Sequence, residues 1–245
     1  MTRKLRRKAL FLSFVACNLA QPFAFAHEDD EIEEIVVLGR WDRPNGLTVS
    51  ASQGFVSQAD FSVRPMLRPG DILEVVPGLI VTQHSGTGKS NQMFLRGFNL
   101  DHGTDFATWI DGMPINMPTH GHGQGYTDLN FIIPELVHSV EFRKGPYYAD
   151  VSDFSSAGAA FFSTARKLDS GMVKTGIGKD NFAQVLYADS FSTGRGDLLF
   201  GVQYNQYDGP WVGTSEDLNR YNGLIRYTES TPGVGEWGVT LMAYD

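Results

Sequence analysis

The side chains of this chain that could bind a ligand are imidazoles and carboxylates in three polar loops. All six histidines fall between His27 and His138. Residues 120–125 read His-Gly-His-Gly-Gln-Gly and carry two imidazoles on alternate positions. Imidazole and carboxylate groups bind Zn²⁺, Ni²⁺ or a ferric chelate when they converge. The candidate ligand-binding residues are His84, Asp101, His102, Asp105, His120 and His122.

Among these candidates, His120 and His122 are the predicted metal ligands. Two imidazoles on a Gly-rich loop bind a metal ion weakly unless a third ligand converges on them. The alternative is that these residues are solvated loop side chains, hydrogen-bonded to neighbouring backbone. Both interpretations stay open at the level of sequence.

Two Gly-rich segments resemble nucleotide-binding motifs, but neither is complete. The first, Gly86-Thr-Gly-Lys-Ser90, matches the end of a phosphate-binding loop. The motif requires its first Gly at position 83, where this chain has Gln83. A phosphate-binding loop is also followed by a helix, whereas a strand is predicted after Ser90. Residues 233–238 have dinucleotide-type Gly spacing between two predicted strands. There is no G-x-S-x-G or H-E-x-x-H motif. The sequence therefore predicts neither an enzyme nor a bound cofactor.

Composition excludes several classes of protein. The 20 Lys and Arg against 28 Asp and Glu give a net charge of −8, which repels nucleic acid. The single Cys excludes a disulfide framework within the chain. No apolar run reaches the length of a membrane-spanning helix. Membrane-spanning β-strands stay possible, because they alternate between polar and apolar residues and need no long apolar run.

Residues 1–26 have the three parts of a secretory signal peptide. A basic head precedes the apolar stretch 9–20, and Ala24-Phe-Ala26 is a small-x-small cleavage site. A lipoprotein anchored at Cys17 is the competing interpretation, but Phe14 fits a lipoprotein box poorly. Cleavage after Ala26 would leave 15 basic and 28 acidic residues, a net charge of −13, and no cysteine. Thiol chemistry and Cys-ligated metals are then excluded.

The rest of the chain divides into three zones. Residues 27–44 form an acidic N-terminal segment, residues 45–166 are mixed and rich in Gly and Pro, and residues 171–245 carry long alternating strands. Alternation over about ten residues suits a transmembrane β-strand, and it suits a soluble antiparallel sheet equally well. About five strands cannot close a barrel. The chain is therefore expected to be the front part of a longer protein, unless these strands serve another purpose.

Several motifs then occur in the order found in one family. After the segment Glu33-Glu-Ile-Val-Val-Leu-Gly39 come Asp71-Ile-Leu-Glu-Val-Val-Pro-Gly-Leu-Ile-Val81 and Phe94-Leu-Arg-Gly-Phe98. Trp109-Ile-Asp-Gly-Met-Pro-Ile115, Val140-Glu-Phe-Arg-Lys-Gly-Pro146 and Ser156-Ala-Gly-Ala-Ala160 follow. In this order, behind a signal peptide, they resemble the TonB box and plug domain of TonB-dependent outer-membrane receptors.

The resemblance implies an α+β plug domain followed by antiparallel transmembrane β-barrel strands, with the barrel incomplete in this chain. It implies location in the outer membrane of a Gram-negative cell, in contact with outer-membrane lipid. The implied function is active import of a small-molecule or metal-chelate ligand. The implied partner is the periplasmic C-terminal domain of TonB, which would pair with the box as an added strand. The box residues are Glu34, Ile35, Val36, Val37 and Leu38.

The same resemblance implies a lock between plug and barrel wall. In the family, two Arg positions tie the plug to carboxylates of the wall; here they fall on Arg96 and Lys144. Lys keeps the charge of Arg but loses its bidentate geometry, so the lock is expected to be altered. The predicted lock residues are Arg96, Glu141, Arg143 and Lys144.

Three other functions remain as alternatives at this stage. The chain could be a stand-alone periplasmic plug-like binding module, although the strands after residue 171 argue against it. It could be a truncated, non-functional receptor. It could also be a nucleotide-binding enzyme that uses Gly86–Ser90, which an ATP-binding assay would test.

Overall fold

The computed structural model describes residues 52–84, 86–151, 153–233 and 235–245. The predicted signal peptide (1–26) and the N-terminal segment 27–44, including the box Glu34–Leu38, lie outside the described residues. Within the described ranges, no helix is long and apolar enough to cross a membrane.

The described chain is mostly β-structure. One short helix, α1, spans Gln58–Phe61, and 3₁₀ helices span Pro69–Val75, Asp101–Gly103 and Pro134–Leu136. The strands are β1 (Gln53–Ser57), β2 (Leu79–Thr82), β3 (Gln92–Leu95), β4 (Phe98–Asn99), β5 (Phe106–Ile110), β6 (Met113–Pro114), β7 (Val137–Lys144), β8 (Gly158–Thr164), β9 (Met172–Ile177), β10 (Ala183–Ser192), β11 (Gly196–Tyr207), β12 (Leu218–Thr231) and β13 (Gly235–Tyr244).

The N-terminal part is built on a five-stranded sheet of order β1-β7-β8-β5-β6, with a three-stranded sheet β2-β3-β4 beside it. Only β5 and β8 pair in parallel within the larger sheet. The apolar core contains Ile72 and Leu73 of the first 3₁₀ helix together with Phe106 and Phe162 of β5 and β8, all almost completely buried. The motif at residues 71–81 covers most of the first 3₁₀ helix, a turn at Pro77-Gly78 and the start of β2. Together these elements form an α+β domain, as the resemblance implies, and we call it the plug domain.

The C-terminal part is an antiparallel sheet of order β13-β12-β11-β10-β9. Consecutive strands are neighbours throughout, so the sheet is a simple series of hairpins. The long alternating strands predicted for residues 171–245 are confirmed, and all five strands of this sheet lie in that zone. Period-two patterns over about ten residues locate strands well because successive side chains must point to opposite faces.

The polarity of the two faces of this second sheet is the reverse of that in a soluble sheet, because polar side chains are buried and apolar side chains are exposed. On β11, Val202 is 55% exposed, whereas its neighbour Gln203 is only 3% exposed. Other polar residues of the inner face are also buried, beside the apolar residues Leu186, Leu199 and Leu224. The buried inner face carries Gln184, Gln203, Asn205, Arg220, Asn222 and Thr228. The exposed outer face carries Val173, Tyr187, Val202, Tyr221, Ile225, Trp237, Val239 and Leu241.

A small apolar seam joins the plug domain to the inner face of the second sheet. Leu136, at the end of a 3₁₀ helix, packs with Leu186, Leu199 and Leu224 in one buried cluster. Gly201 makes room for it, because a Cβ atom there would lie 2.5 Å from Leu136 Cδ1. Met242 of β13 packs against this cluster and against the main core of the plug domain. Polar contacts between plug and sheet lie beside this seam, such as the hydrogen bond of Asn222 with Asn130.

Candidate functional site

The fold brings His84 and His102 into direct contact, although eighteen positions separate them in sequence. Their Nε2 atoms lie 3.1 Å apart, and their ring centroids are 4.9 Å apart. His84 follows β2 and is exposed, whereas His102 sits in the 3₁₀ turn after β4 and is 1% exposed. His102 therefore differs from the solvated loop residue that the sequence allowed. The sharp turn that directs it inward is held by the core residue Leu100.

The backbone around His102 is unusual for non-glycine residues. Asp101 and His102 both have positive φ, 34° and 66°. Two successive residues in or near the left-handed region carry a conformational cost of about 1–3 kcal/mol each. The segment is held by Gly103 and Thr104, whose N–H groups both donate to the carbonyl of Leu100. Such strain is a common feature of binding sites.

Hydrogen bonding fixes the tautomer of His102. Its Nδ1 lies 2.8 Å from the backbone carbonyl oxygen of Ser90, and a carbonyl only accepts, so Nδ1 carries the proton. In the neutral ring, Nε2 then presents a lone pair toward His84. Burial lowers the pKa of His102, and the neighbouring imidazoles of His122 and His84 lower it further. Together these effects outweigh the hydrogen bond with Ser90 and the charge of Asp101, both of which raise the pKa of His102.

His122 approaches the same ring from the other side. The centroids of His102 and His122 lie 4.6 Å apart in an edge-to-face arrangement. One ligand atom each from Asp101, His102 and His122 lie within 4.8 Å of one another. His122 and Asp101 are exposed, so both side chains have room to move toward a shared ion. We call His84, Asp101, His102 and His122 the imidazole cluster.

His120 contacts Tyr126 and the backbone of its own loop, and its prediction as a metal ligand stays a prediction. Its ring stacks on Tyr126, with centroids 4.0 Å apart and an interplanar angle of 14°. Its Nδ1 accepts a hydrogen bond from the backbone N–H of His122 at 3.2 Å. His120 therefore shapes the loop that carries His122. Asp105 also lies apart from the cluster contacts, because its carboxylate accepts hydrogen bonds from Ser156 and Thr104.

A buried asparagine that the sequence did not single out connects the loops of the cluster. The amide nitrogen of Asn116 donates to the carbonyl oxygens of Gly103, Phe106 and Gly125 at 2.9, 3.1 and 2.9 Å. Its Oδ1 accepts from the backbone N–H of Thr108 at 2.7 Å. Gly103 follows His102 and Gly125 precedes Tyr126, so one side chain positions both segments. A lone Asn before Met117 gives no signal for this in the sequence.

The segment Gly86–Ser90 is not arranged as a phosphate cradle. The backbone N–H and the hydroxyl of Thr87 donate to the Glu216 carboxylate at 3.0 and 2.7 Å. The N–H of Ser90 donates to the Tyr126 hydroxyl at 2.7 Å. Strand β3 follows, as predicted, in place of the helix that a nucleotide-binding loop requires. A carboxylate already occupies the position where a phosphate would accept these hydrogen bonds.

The predicted lock residues lie together near the entry of the chain into the plug domain. Arg143 pairs with Glu141 at 2.9 Å and Asp150 at 2.6 Å, both within the plug domain. Lys144 is buried and donates to the carbonyl of Pro77 at 3.3 Å. Burial and the charge of Arg96 lower the pKa of Lys144.

Arg96 completes this group, and its Nη2 donates to Ser52 Oγ at 3.0 Å. Among the described residues, the ion pairs between residues 45–166 and the second sheet are Lys174–Glu135, Arg226–Asp111 and Arg166–Glu236, all at 2.6 Å. A lock between the four predicted residues and wall carboxylates stays a prediction.

Comparison with known proteins agrees with this architecture. The family model of the TonB-dependent Receptor Plug Domain matches residues 45–159. Among solved structures, the copper transporter OprC is similar, with 18% identity and a TM-score of 0.60; the match covers 80% of this chain and 31% of OprC. The ferric yersiniabactin uptake receptor FyuA from Yersinia pestis shows 20% identity and a TM-score of 0.58, covering 79% of this chain and 31% of FyuA.

A mutant of the ferric enterobactin receptor PfeA from Pseudomonas aeruginosa is also similar, with 15% identity and a TM-score of 0.55. The match covers 80% of this chain and 34% of PfeA, so the chain spans about a third of the length of these structures. At such identities the likeness concerns the fold: a plug domain followed by antiparallel strands. The family match and the fold agree that residues 45–159 form a TonB-dependent receptor plug domain.

Proposed function

We propose that this protein is an energy-coupled outer-membrane receptor. Its plug domain, predicted from the sequence as residues 45–166, would close a β-barrel whose first strands are β9 to β13. Ligand binds on the plug loops that carry the imidazole cluster, and TonB then pulls on the box Glu34–Leu38. The plug moves, and the ligand enters the periplasm. No bond in the ligand is made or broken, so the protein acts as a transporter and not as an enzyme.

The observation that carries this proposal is the inverted polarity of the second sheet. A soluble sheet buries its apolar face, yet here Gln203 and Asn222 are buried while Val202 and Leu241 are exposed. Exposed valine, leucine and aromatic side chains in a row are costly in water and favourable in lipid. The polar inner face suits a wall that surrounds a hydrated plug. This argues against a stand-alone periplasmic module, which would expose the same apolar face to water.

The contacts between plug and sheet also suit a plug that must move. Asn222 Nδ2 donates to the carbonyl of Asn130 at 2.6 Å, and the Tyr244 hydroxyl donates to Asp128 at 2.5 Å. Polar contacts of this kind exchange readily for water, so breaking them costs about 0.5–1.5 kcal/mol each. The apolar seam around Leu136 is small by comparison. The plug is therefore held by many weak contacts rather than by one large apolar interface.

A pull from the N-terminus would reach the plug at Ser52 and β1. The Ser52 carbonyl accepts from the Lys144 N–H at 2.7 Å, and the Ser52 hydroxyl accepts from Arg96. Strand β1 is at the edge of the plug sheet and pairs only with β7 among the described strands. Five residues of edge strand separate from a sheet more easily than any central strand. A pull on the box would therefore act first on the pairing of β1 with β7.

The transported ligand is proposed to be a scarce metal-containing compound, such as a siderophore, a metal chelate or a similar species. The similar structures are receptors named for ferric siderophores and one transporter named for copper. The imidazole cluster of this chain supplies groups that would contact such a ligand.

The proposal is tested by binding to the purified periplasmic C-terminal domain of TonB, which requires no knowledge of the ligand. The wild-type receptor is expected in the outer-membrane fraction and should bind this domain. Val36→Pro should weaken binding at least about tenfold, because Pro cannot donate to an added strand. Val36→Ala keeps the backbone N–H and is the matched control, expected within twofold of wild type. A wild-type chain found in the soluble periplasmic fraction, without affinity for TonB, would overturn the proposal.

A further inference from the structure

We propose that His84, His102 and His122, with Asp101 as a fourth ligand, form a site that binds a divalent transition-metal cation directly through protein side chains. The inference deepens the proposed function and rests on it for the role of the metal as cargo. It differs from the expectation that the two histidines of the 120–122 motif bind metal together.

The distance between the first two ligands already suits one shared ion. Two imidazole nitrogens that bind one tetrahedral Zn²⁺ at about 2.0–2.1 Å lie about 3.3 Å from each other. The Nε2 atoms of His84 and His102 are 3.1 Å apart. Asp101, His102 and His122 place ligand atoms within 4.8 Å of one another, so the exposed side chains of Asp101 and His122 must move inward by about 1–2 Å. Both have the freedom to do so at the surface.

The surroundings of His102 are those of a metal-ligating histidine. The Ser90 carbonyl accepts a hydrogen bond from Nδ1–H at 2.8 Å, so Nε2 is the ring nitrogen of His102 whose lone pair can bind a metal ion. A carbonyl or carboxylate partner on the second ring nitrogen is the usual way of orienting a histidine ligand. Ser90 is itself buried and fixed, since its N–H donates to the Tyr126 hydroxyl at 2.7 Å. The central ligand is therefore rigid, and the three outer ligands His84, Asp101 and His122 are exposed and adaptable.

The ligand set also selects the kind of cargo. Three imidazoles and one carboxylate suit Zn²⁺, Cu²⁺ or Ni²⁺, whereas Fe³⁺ in siderophores is already surrounded by hard oxygen atoms. A ferric catecholate complex is anionic, and the Asp101 carboxylate would repel it. The cluster therefore favours a cation released from a weak complex over an intact anionic chelate.

The neighbouring His120 provides an internal control. It lies two residues from His122 and is exposed, but its ring is stacked on Tyr126 and its Nδ1 accepts the His122 N–H. Its role in the site is to hold the loop. Removal of His120 should therefore leave the number of metal-bound imidazoles unchanged.

The test is metal binding by the full chain in detergent, without a polyhistidine tag, using Zn²⁺, Cu²⁺ and Ni²⁺ alone as probes in isothermal titration calorimetry. Wild type should bind one equivalent at the site. His84→Ala and His122→Ala should each weaken affinity at least about tenfold. His138→Ala, on β7 and outside the cluster, is the matched control and should stay within threefold of wild type. The Cu²⁺ titrations are made in the His27→Ala background, because a histidine near a free N-terminus binds Cu²⁺ on its own.

A spectroscopic count separates ligation from an indirect effect. Electron spin-echo envelope modulation of the Cu²⁺-loaded chain should show three coordinated imidazoles in wild type and in His120→Ala. It should show two in His84→Ala and in His122→Ala. These ligands are exposed, so the variants are expected to fold, which circular dichroism verifies.

Two outcomes would overturn the inference. One is a folded wild-type chain that binds none of the three cations below about 100 µM, a range far weaker than protein metal sites reach. The other is an unchanged imidazole count in His84→Ala and His122→Ala. TonB binding by the same preparations is measured in parallel. Intact TonB binding without metal binding would reject this site alone, whereas metal binding without TonB binding would reject the proposed transport function alone.

Discussion

Glu216, in the segment between β11 and β12, accepts hydrogen bonds from both the backbone N–H and the hydroxyl of Thr87, at 3.0 and 2.7 Å. The indole N–H of Trp211 donates to the same carboxylate at 2.9 Å. One side chain from the second sheet thus holds the plug loop that follows His84. Glu216 and Thr87 are 129 positions apart in sequence, and no local sequence pattern predicts their contact.

Glu216→Ala is expected to loosen this plug loop. Hydrogen bonds to a charged acceptor contribute about 1.5–3 kcal/mol when buried, and partial exposure here reduces this to about 1 kcal/mol. Amide hydrogen exchange of Thr87 should therefore accelerate about five- to tenfold. Asp217→Asn is the matched control, because this neighbouring side chain is exposed and Asn tolerates its positive φ of 48°. Equal protection of Thr87 in wild type and Glu216→Ala would contradict the role of this contact.

The same contact predicts a pH dependence of stability. Burial by itself raises the pKa of Glu216, but the hydrogen bonds from Thr87 and Trp211 outweigh it and hold the pKa below 4.5. A carboxyl whose pKa is lower in the folded state contributes stability above its unfolded pKa, and this is lost as pH falls through the folded pKa. The guanidinium midpoint of wild type should therefore exceed that of Glu216→Gln at pH 7, and the gap should close below pH 4.5. A gap that is constant with pH would show that the charge is not involved.

Asn116→Asp is expected to destabilise the plug domain by about 3 kcal/mol. The substitution keeps the shape but removes the amide donor that serves the carbonyls of Gly103, Phe106 and Gly125, and it buries a charge facing them. Guanidinium unfolding measures the change. Asn219→Asp, at an exposed position on β12, is the control and should change stability by less than about 0.5 kcal/mol. Metal affinity should fall in Asn116→Asp, because His102 and the His122 loop lose their common support.

A disulfide between β1 and β7 should block transport if the edge strand must detach. Phe55 and Glu141 are Cα partners in this antiparallel pair, and such partners lie about 4.5–5.5 Å apart, within the range of a disulfide. Phe55→Cys/Glu141→Cys should stop energy-dependent uptake of radioactive zinc under oxidising conditions, and a reductant should restore it. Phe191→Cys/Leu198→Cys joins two neighbouring wall strands at β10 and β11 and should leave uptake unchanged. Unimpaired uptake by the oxidised first variant would show that β1 stays in place.

Some elements of this protein are decided by short stretches of sequence. The strands of the second sheet follow from alternation, because the two faces of a strand repeat every second residue whatever the surroundings. The Pro-Gly turn at Pro77 and the strand after it follow from backbone restrictions, and Gly78 indeed has a φ of +83°. The order of short motifs was sufficient to predict the plug domain, which the family match confirms.

The tertiary structure decided which face of those strands is buried and which histidines meet. An alternating pattern of polar and apolar residues predicts a strand but does not tell which of its two faces is buried. Val202 and Gln203 therefore predict the same strand whichever of them faces the plug. His120 and His122 are neighbours in sequence, yet the contact at 3.1 Å joins His84 to His102, because the buried turn after β4 brings one loop under the other. Asn116 and Glu216 owe their importance to partners that only long-range packing supplies. Local sequence fixes backbone conformation, whereas convergence of side chains depends on how distant segments pack.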